Sequence, residues 1–176
     1  GASVVWWPRG LIDGLVAAGF RVVQFDARDT GLSTHVDRDR APYGLEDLAA
    51  DALAVLDAAG VDEAHWLGVS MGGMICQAAA LLHPERVLSL TLVSTTPGPD
   101  PRLAAGDPSV FDGLDRAIES DEDFIQLQVD FCRAVAGSRF TFDESLYRTV
   151  AAADVARGTN RDPGVPSASS RVDDLV

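Results

Sequence analysis

The stretch from His65 to Met74, which reads His-Trp-Leu-Gly-Val-Ser-Met-Gly-Gly-Met, constrains the chain more than any other part of it. A short apolar run leads into Gly-x-Ser-x-Gly, and an alanine-rich segment follows. Strand, tight turn and helix in this order are typical of an elbow that presents a nucleophilic serine. The bare motif is weak evidence, because 16 glycines give about a one-in-ten chance of a random match. The flanking strand and helix therefore favour the elbow over an ordinary glycine-rich turn.

Each position of the motif has an expected role. Ser70 is the candidate nucleophile, with strained backbone dihedrals and its hydroxyl directed above the carboxyl edge of the sheet. We expect Gly68 and Gly72 to be glycines because the tight turn leaves no room for a Cβ atom. The backbone N–H of Met71, at the start of the following helix, is a candidate oxyanion-hole donor.

The first 96 residues alternate between helical and strand patterns. Alternation of this kind predicts an α/β fold, with a mostly parallel sheet that helices cover on both faces. The predicted helices and strands are, in chain order, a helix from about Pro8 to Gly19, a strand from Phe20 to Phe25, a helix from Leu45 to Ala59, a strand from Ala64 to Val69, a helix from Met71 to Leu82 and a strand from Val87 to Val93.

The pattern changes after residue 96. Pro97-Gly98-Pro99-Asp100-Pro101 interrupts regular structure, and residues from about Phe111 to Arg157 look helical throughout. A Gly-, Pro- and Ser-rich loop follows. The sequence thus predicts a partial α/β core over 1–96, a helical cap or insertion over 97–170, and the start of a return to the core over 171–176.

Composition excludes several classes of function. A net charge of −13 argues against nucleic acid, whose phosphates require a basic surface, and against anionic membrane surfaces. The two cysteines, Cys76 and Cys132, lack metal-site spacing and are expected to be reduced, which favours a cytoplasmic protein. Neither a metal nor a cofactor is indicated, and no apolar run is long enough to predict a transmembrane helix.

A second motif, Asp-x-Arg-Asp-x-Gly-x-Ser, lies in the polar stretch that follows the predicted strand from Phe20 to Phe25. With the elbow, it makes the chain resemble the aclacinomycin methylesterase-like group of α/β-hydrolases, over residues 1–96. The residues that carry the resemblance are Gly1-Ala2-Ser3, Trp7-Pro8, Phe25-Asp26-Ala27-Arg28-Asp29-Thr30-Gly31-Leu32-Ser33-Thr34, Pro42-Tyr43, Leu48-Ala49-Ala50-Asp51-Ala52 and the elbow itself.

This resemblance implies a partial α/β-hydrolase fold with a helical cap. It also implies an esterase without a cofactor, in which Ser70 attacks the carbonyl of a carboxylic or methyl ester of a small molecule and an acyl-enzyme forms. Cofactor-free haloperoxidase or perhydrolase activity and carbon–carbon bond hydrolysis are alternatives within the same superfamily. The oligomeric state is left open.

The chain departs from the family pattern at the catalytic partners. In the family an acidic residue and then a histidine follow the nucleophile, yet no histidine follows His83. By alignment, the first oxyanion donor lies one residue before Gly1. We therefore expect an incomplete, inactive chain from a longer enzyme, and the alternative is a non-catalytic protein that binds a ligand.

Other residues are weaker candidates for the site. Gly1, Asp26 and Arg28 are candidates for a pocket wall, although the charged pair is more typical of a salt-bridged turn. Of the three histidines, only His35 is placed so that it could approach Ser70, and its loop position favours a surface role.

Overall fold

The computed structural model describes residues 3–36, 43–98, 108–113 and 116–158. Contacts divide these residues into two compact units, one containing residues 36 and 43–98 and the other containing residues 3–35, 108–113 and 116–158. The helices and strands are α1 (Arg9–Ala17), α2 (Leu45–Ala58), β1 (Ala64–Val69), α3 (Met71–Leu82), β2 (Val87–Val93), α4 (Asp121–Val135) and α5 (Glu144–Ala156). Short 3-10 turns occur at Val4–Trp6, Pro84–Arg86 and Pro108–Phe111.

The first unit is built on a β–α–β arrangement. Strands β1 and β2 pair in parallel, with Leu67 opposite Thr91 and Val69 opposite Val93. Helix α3 connects the two strands and packs against both of them. Parallel neighbours require such a crossover, so the predicted alternation of strand, helix and strand is confirmed here.

Helix α2 packs on α3 and supplies most of the buried core of this unit. At the N-terminus of α2, the backbone N–H of the N-cap residue Gly44 donates to Asp47 Oδ2 at 2.9 Å. Its apolar stripe faces the small side chains of α3, which allow the two helices to approach closely. The buried residues of this cluster are Leu45, Leu48, Ala49, Ala78 and Ala79.

The sheet is not buried on both faces, which contradicts the sequence-based expectation. On β2, Leu88, Leu90 and Leu92 are 37–49% exposed, and Val93 on the opposite face is 42% exposed. Among the described residues, α3 is the helix packed against both strands, and that layer leaves the apolar side chains of β2 in contact with solvent. The apolar pattern of the strands therefore predicts burial on both faces of the sheet, which the described residues alone do not provide.

The predicted strand from Phe20 to Phe25 is also wrong. These residues form no strand in the described part of the chain, where β1 and β2 pair with each other. Phe20, Val23 and Phe25 are 36–49% exposed. A β-rich run becomes a strand only when a neighbour satisfies its backbone hydrogen bonds, and no described strand does so here.

The second unit contains α1, α4 and α5. Ser120 caps α4 by accepting from the N–H of Asp123 at 3.2 Å, and Asp143 caps α5 by accepting from Leu146 at 3.1 Å. The α4–α5 interface buries apolar residues from both helices. The prediction of helix throughout 111–157 is wrong over 116–120, which are not helical, and between α4 and α5, where Gly137 has a φ of +67°. None of the described helices has the length and hydropathy to cross a membrane.

Candidate active site

Ser70 lies between β1 and α3 in a backbone conformation that residues with a side chain rarely adopt. Its φ is 53° and its ψ is −121°. The N–H of Ser70 donates to the carbonyl oxygen of Val93 at 2.9 Å, so the turn is fastened to the end of β2. The carbonyl of Ser70 accepts from Gly73 N at 2.9 Å, which starts α3. Surrounding hydrogen bonds thus hold a strained residue, as a strand–helix elbow requires.

The side chain of Ser70 is exposed and makes no capping hydrogen bond to α3. Serine at the N-cap of a helix usually accepts from a backbone N–H two or three residues later. The hydroxyl of Ser70 is instead available for chemistry. Met71 is the first residue of α3, where backbone N–H groups have no partner within the helix and the helix dipole favours negative charge.

Three glycines lie near Ser70, and steric contacts require glycine at Gly68 and Gly73 but not at Gly72. At Gly68 a Cβ would lie 2.6 Å from Gly73 N and closer still to the carbonyl of Gly72, whereas real Cβ contacts stay beyond 3.0 Å. At Gly72 a Cβ would meet nothing within 4 Å, so the expectation that the turn leaves no room there is wrong. Gly72 contributes the backbone that Gly68 must accommodate. Gly73 is a further steric requirement, because its Cβ would lie 2.5 Å from the side chain of Thr95.

Each of the three histidines has a partner other than Ser70. His35 Nε2 lies 3.3 Å from the carbonyl oxygen of Gly31, and His65 Nδ1 lies 2.8 Å from Ser89 Oγ. His83 Nδ1 lies 3.6 Å from Glu85 Oε1. No hydrogen bond between a histidine and Ser70 is present among the described residues. Among the described residues, the candidate nucleophile Ser70 therefore has no histidine partner.

Asp26 is buried and its carboxylate is fully engaged within the second unit. Oδ1 accepts from Val4 N at 2.8 Å, and Oδ2 accepts from Leu32 N at 2.9 Å and from Arg157 Nε at 2.8 Å. Burial by itself raises the pKa of Asp26, but the hydrogen bonds from Val4 and Leu32 and the charge of Arg157 outweigh it and lower the pKa.

Leu32 belongs to the polar turn, whereas Val4 and Arg157 contact Asp26 from outside it. A place for Asp26 in a pocket wall stays a prediction. The cation beside Asp26 is Arg157, although sequence proximity had suggested Arg28, which is half-buried. Asp26 and Arg157 are 131 residues apart in the sequence, so no local sequence pattern predicts their ion pair. Gly1 lies outside the described residues.

Replacing Asp26 with Asn is expected to lower the free energy of unfolding by about 2 kcal/mol at neutral pH, because a buried charged acceptor is lost. The native pKa of Asp26 is lowered, so its contribution is present above the unfolded value of about 3.9 and is lost as the pH falls through the native value. Urea unfolding at pH 7 and pH 3 should show the gap between wild type and variant narrowing in acid. An equal gap at both pH values would contradict this assignment.

The thiols are poor alternative nucleophiles. Both cysteines are free, and burial raises the pKa of Cys76 to about 11. Burial also raises the pKa of Cys132. Because the thiolate is the reactive form, neither side chain competes with Ser70 near neutral pH. The described residues also contain no cluster of three or more His, Cys, Asp or Glu that could hold a metal ion.

Comparisons with known proteins identify the family. The family model for the alpha/beta hydrolase fold matches residues 1–167. Rhodomycin D methylesterase DnrP from Streptomyces peucetius is 38% identical over 161 residues, which cover 81% of this chain and 54% of that protein. A putative carbamate hydrolase from Azorhizobium caulinodans is 43% identical over 94 residues, covering 53% of this chain and 33% of that protein.

The solved structures agree with the sequence matches. A hydrolase from Pseudomonas aeruginosa PA01 superimposes with a TM-score of 0.56 and 25% identity, covering 92% of this chain and 57% of that chain. The chain spans about half the length of the methylesterases that it matches. The predicted resemblance to methylesterases, and with it the predicted fold class, is confirmed. On this combined sequence and structural evidence, the chain belongs to the α/β-hydrolase fold family.

Proposed function

We propose that the protein containing this chain is a serine hydrolase that cleaves a carboxylic ester of a small molecule. The observation that carries the proposal is the geometry of Ser70, a strained and exposed serine held between β1 and α3. Glycine adopts a positive φ at little cost, whereas serine does not. A serine in this position of an α/β-hydrolase is therefore best explained by the need for its hydroxyl.

The chemistry follows two acyl-transfer steps. Ser70 Oγ attacks the ester carbonyl carbon while a histidine base takes the hydroxyl proton, and the N–H of Met71 donates to the developing oxyanion. The alcohol then leaves with that proton, and an acyl-enzyme remains on Ser70. Water attacks the acyl carbon, the base again transfers the proton, and the acid is released. We place the histidine and its acidic partner in a part of the protein outside this chain.

The preferred substrate is a methyl ester on a polyketide-like molecule. This choice rests on the methylesterase relatives, which match 81% of the chain. Carbamate hydrolysis is second, since the relative named for it matches 53% of the chain. A cytoplasmic location is proposed because both cysteines are free, and a net charge of −13 disfavours nucleic acid as a partner.

The decisive test is covalent labelling of the full-length protein with a fluorophosphonate, followed by peptide mapping. We expect one adduct, on Ser70, and none after heat denaturation. Ser94 is the matched internal control, because it is also exposed and has a φ of 48°, but it follows β2 and does not directly precede a helix as Ser70 does. An adduct on Ser94, or no adduct in a folded preparation, would overturn the proposal.

A further inference from the structure

Gln77 connects the elbow helix to the loop that follows β2. It lies on α3, two helical turns after Ser70, and it is half-buried. Its side-chain nitrogen Nε2 lies 3.2 Å from the carbonyl oxygen of Gly73 and 3.2 Å from the carbonyl oxygen of Thr96. One amide group therefore joins the first turn of α3 to a segment of irregular backbone.

The chemistry of the two partners fixes the orientation of this amide. An amide nitrogen carries two N–H donors, whereas the amide oxygen is only an acceptor. Both neighbours of Nε2 are carbonyl oxygens, so the opposite orientation would place three acceptors together. The bridge uses both donors, and a side chain of equal size without donors cannot replace it.

The end of β2 and the loop that follows it contact the elbow at two further points. Ser70 N donates to the carbonyl of Val93, the last residue of β2. The side chain of Thr95 lies 2.5 Å from the position that a Cβ on Gly73 would take. Between these contacts Ser94 has a φ of 48°, so the loop turns sharply directly beside the nucleophile. Removal of the Gln77 amide would therefore remove the hydrogen bond that the carbonyl oxygen of Thr96 accepts from Nε2.

We propose that Gln77 is a positioning residue for the reaction on Ser70. Its two hydrogen bonds hold the first turn of α3 against the loop after β2, and so fix the direction of the Met71 N–H and the conformation of Ser70. The inference rests on the proposed hydrolase function. Small misplacements of reacting groups are costly, because about 1 Å of displacement can lower a rate about 100-fold.

The test compares Gln77→Glu and Gln77→Met in the full-length protein. Both variants keep the size of the side chain and remove its donors. We expect kcat for a nitrophenyl ester to fall about 10- to 100-fold, with KM changed less than about twofold, since the loss affects the transition state. The rate of fluorophosphonate labelling of Ser70 should fall in parallel. The melting temperature and far-UV circular dichroism are measured on the same samples.

Gln126→Met is the matched control. Gln126 is another half-buried helical glutamine, and its Nε2 donates to Asp130 at 2.8 Å, but it lies in the other unit. We expect its kcat to equal that of the wild type.

Unchanged kcat and labelling in folded Gln77 variants would overturn the positioning role and leave the proposed hydrolase function intact. Variants that do not fold would also overturn it, since Gln77 would then serve stability alone. Absence of Ser70-dependent turnover in the wild type would instead remove the hydrolase proposal, and the positioning role with it.

Discussion

Replacing Ser70 with Ala should lower kcat for ester hydrolysis by the full-length protein by a factor on the order of 10⁴ to 10⁶. In the proposed mechanism the hydroxyl oxygen of Ser70 forms the acyl-enzyme, so the variant would retain only oxyanion stabilisation and substrate binding. KM should change little, because Ser70 is exposed and its side chain caps nothing. Initial rates with a nitrophenyl ester and with a methyl ester give both constants.

The controls for this experiment address folding and contamination. The Ser70→Ala variant should be at least as stable as the wild type toward urea, because the native hydroxyl makes no capping hydrogen bond. Ser94→Ala should retain activity within about threefold, since no role in the reaction is assigned to it. The 176-residue chain alone is expected to be inactive. Turnover by Ser70→Ala above about 1% of the wild-type rate would contradict the role of Ser70 as nucleophile.

Replacing Gly68 with Ala should be the most destabilising single change at the elbow, with a loss of about 3 kcal/mol or more in the free energy of unfolding. The added Cβ would meet the carbonyl of Gly72 and would lie 2.6 Å from Gly73 N. These atoms belong to the backbone of the first turn of α3 and cannot rotate away as a side chain would. Relief of the clash requires β1 and α3 to separate, which also displaces Ser70. Urea unfolding measures the loss.

Gly72→Ala is the matched control, because it adds the same methyl group four residues away. A Cβ at this position meets nothing within 4 Å, and no positive φ is required. Alanine favours a helix over glycine by up to about 1 kcal/mol, so we expect equal or greater stability. A similar loss of stability in both variants would show that steric contact at Gly68 is not the cause.

The sequence identified the central part of the first unit because its signals are local. The predicted bounds of β1, α3 and β2 coincide with those of the structure. A mostly apolar segment of six residues, a glycine two positions to each side of Ser70 and an alanine-rich helix specify a strand, a turn and a helix within about 20 residues. Little in that segment depends on distant neighbours.

Prediction from local sequence patterns failed for segments whose structure depends on contacts with other segments. The run from Phe20 to Phe25 has the composition of a strand, but a strand is stabilised by pairing with a neighbouring strand, and no described strand pairs with it. The side chains of β2 are exposed for the related reason that burial needs a second layer. The residue types of a segment indicate which secondary structure it favours. They do not show whether other segments are placed to pair with it or to cover it.

The sequence by itself determined the family and the order of β1, α3 and β2, because both are encoded in neighbouring residues. Only the tertiary structure shows the pairing of Asp26 with Arg157 in the second unit and, in the first unit, the bridge from Gln77 to Thr96 and the steric contact that requires glycine at Gly73. Each depends on the approach of atoms from separate segments or turns. Only the folded backbone sets such distances, and the spacing of residue types along the chain does not.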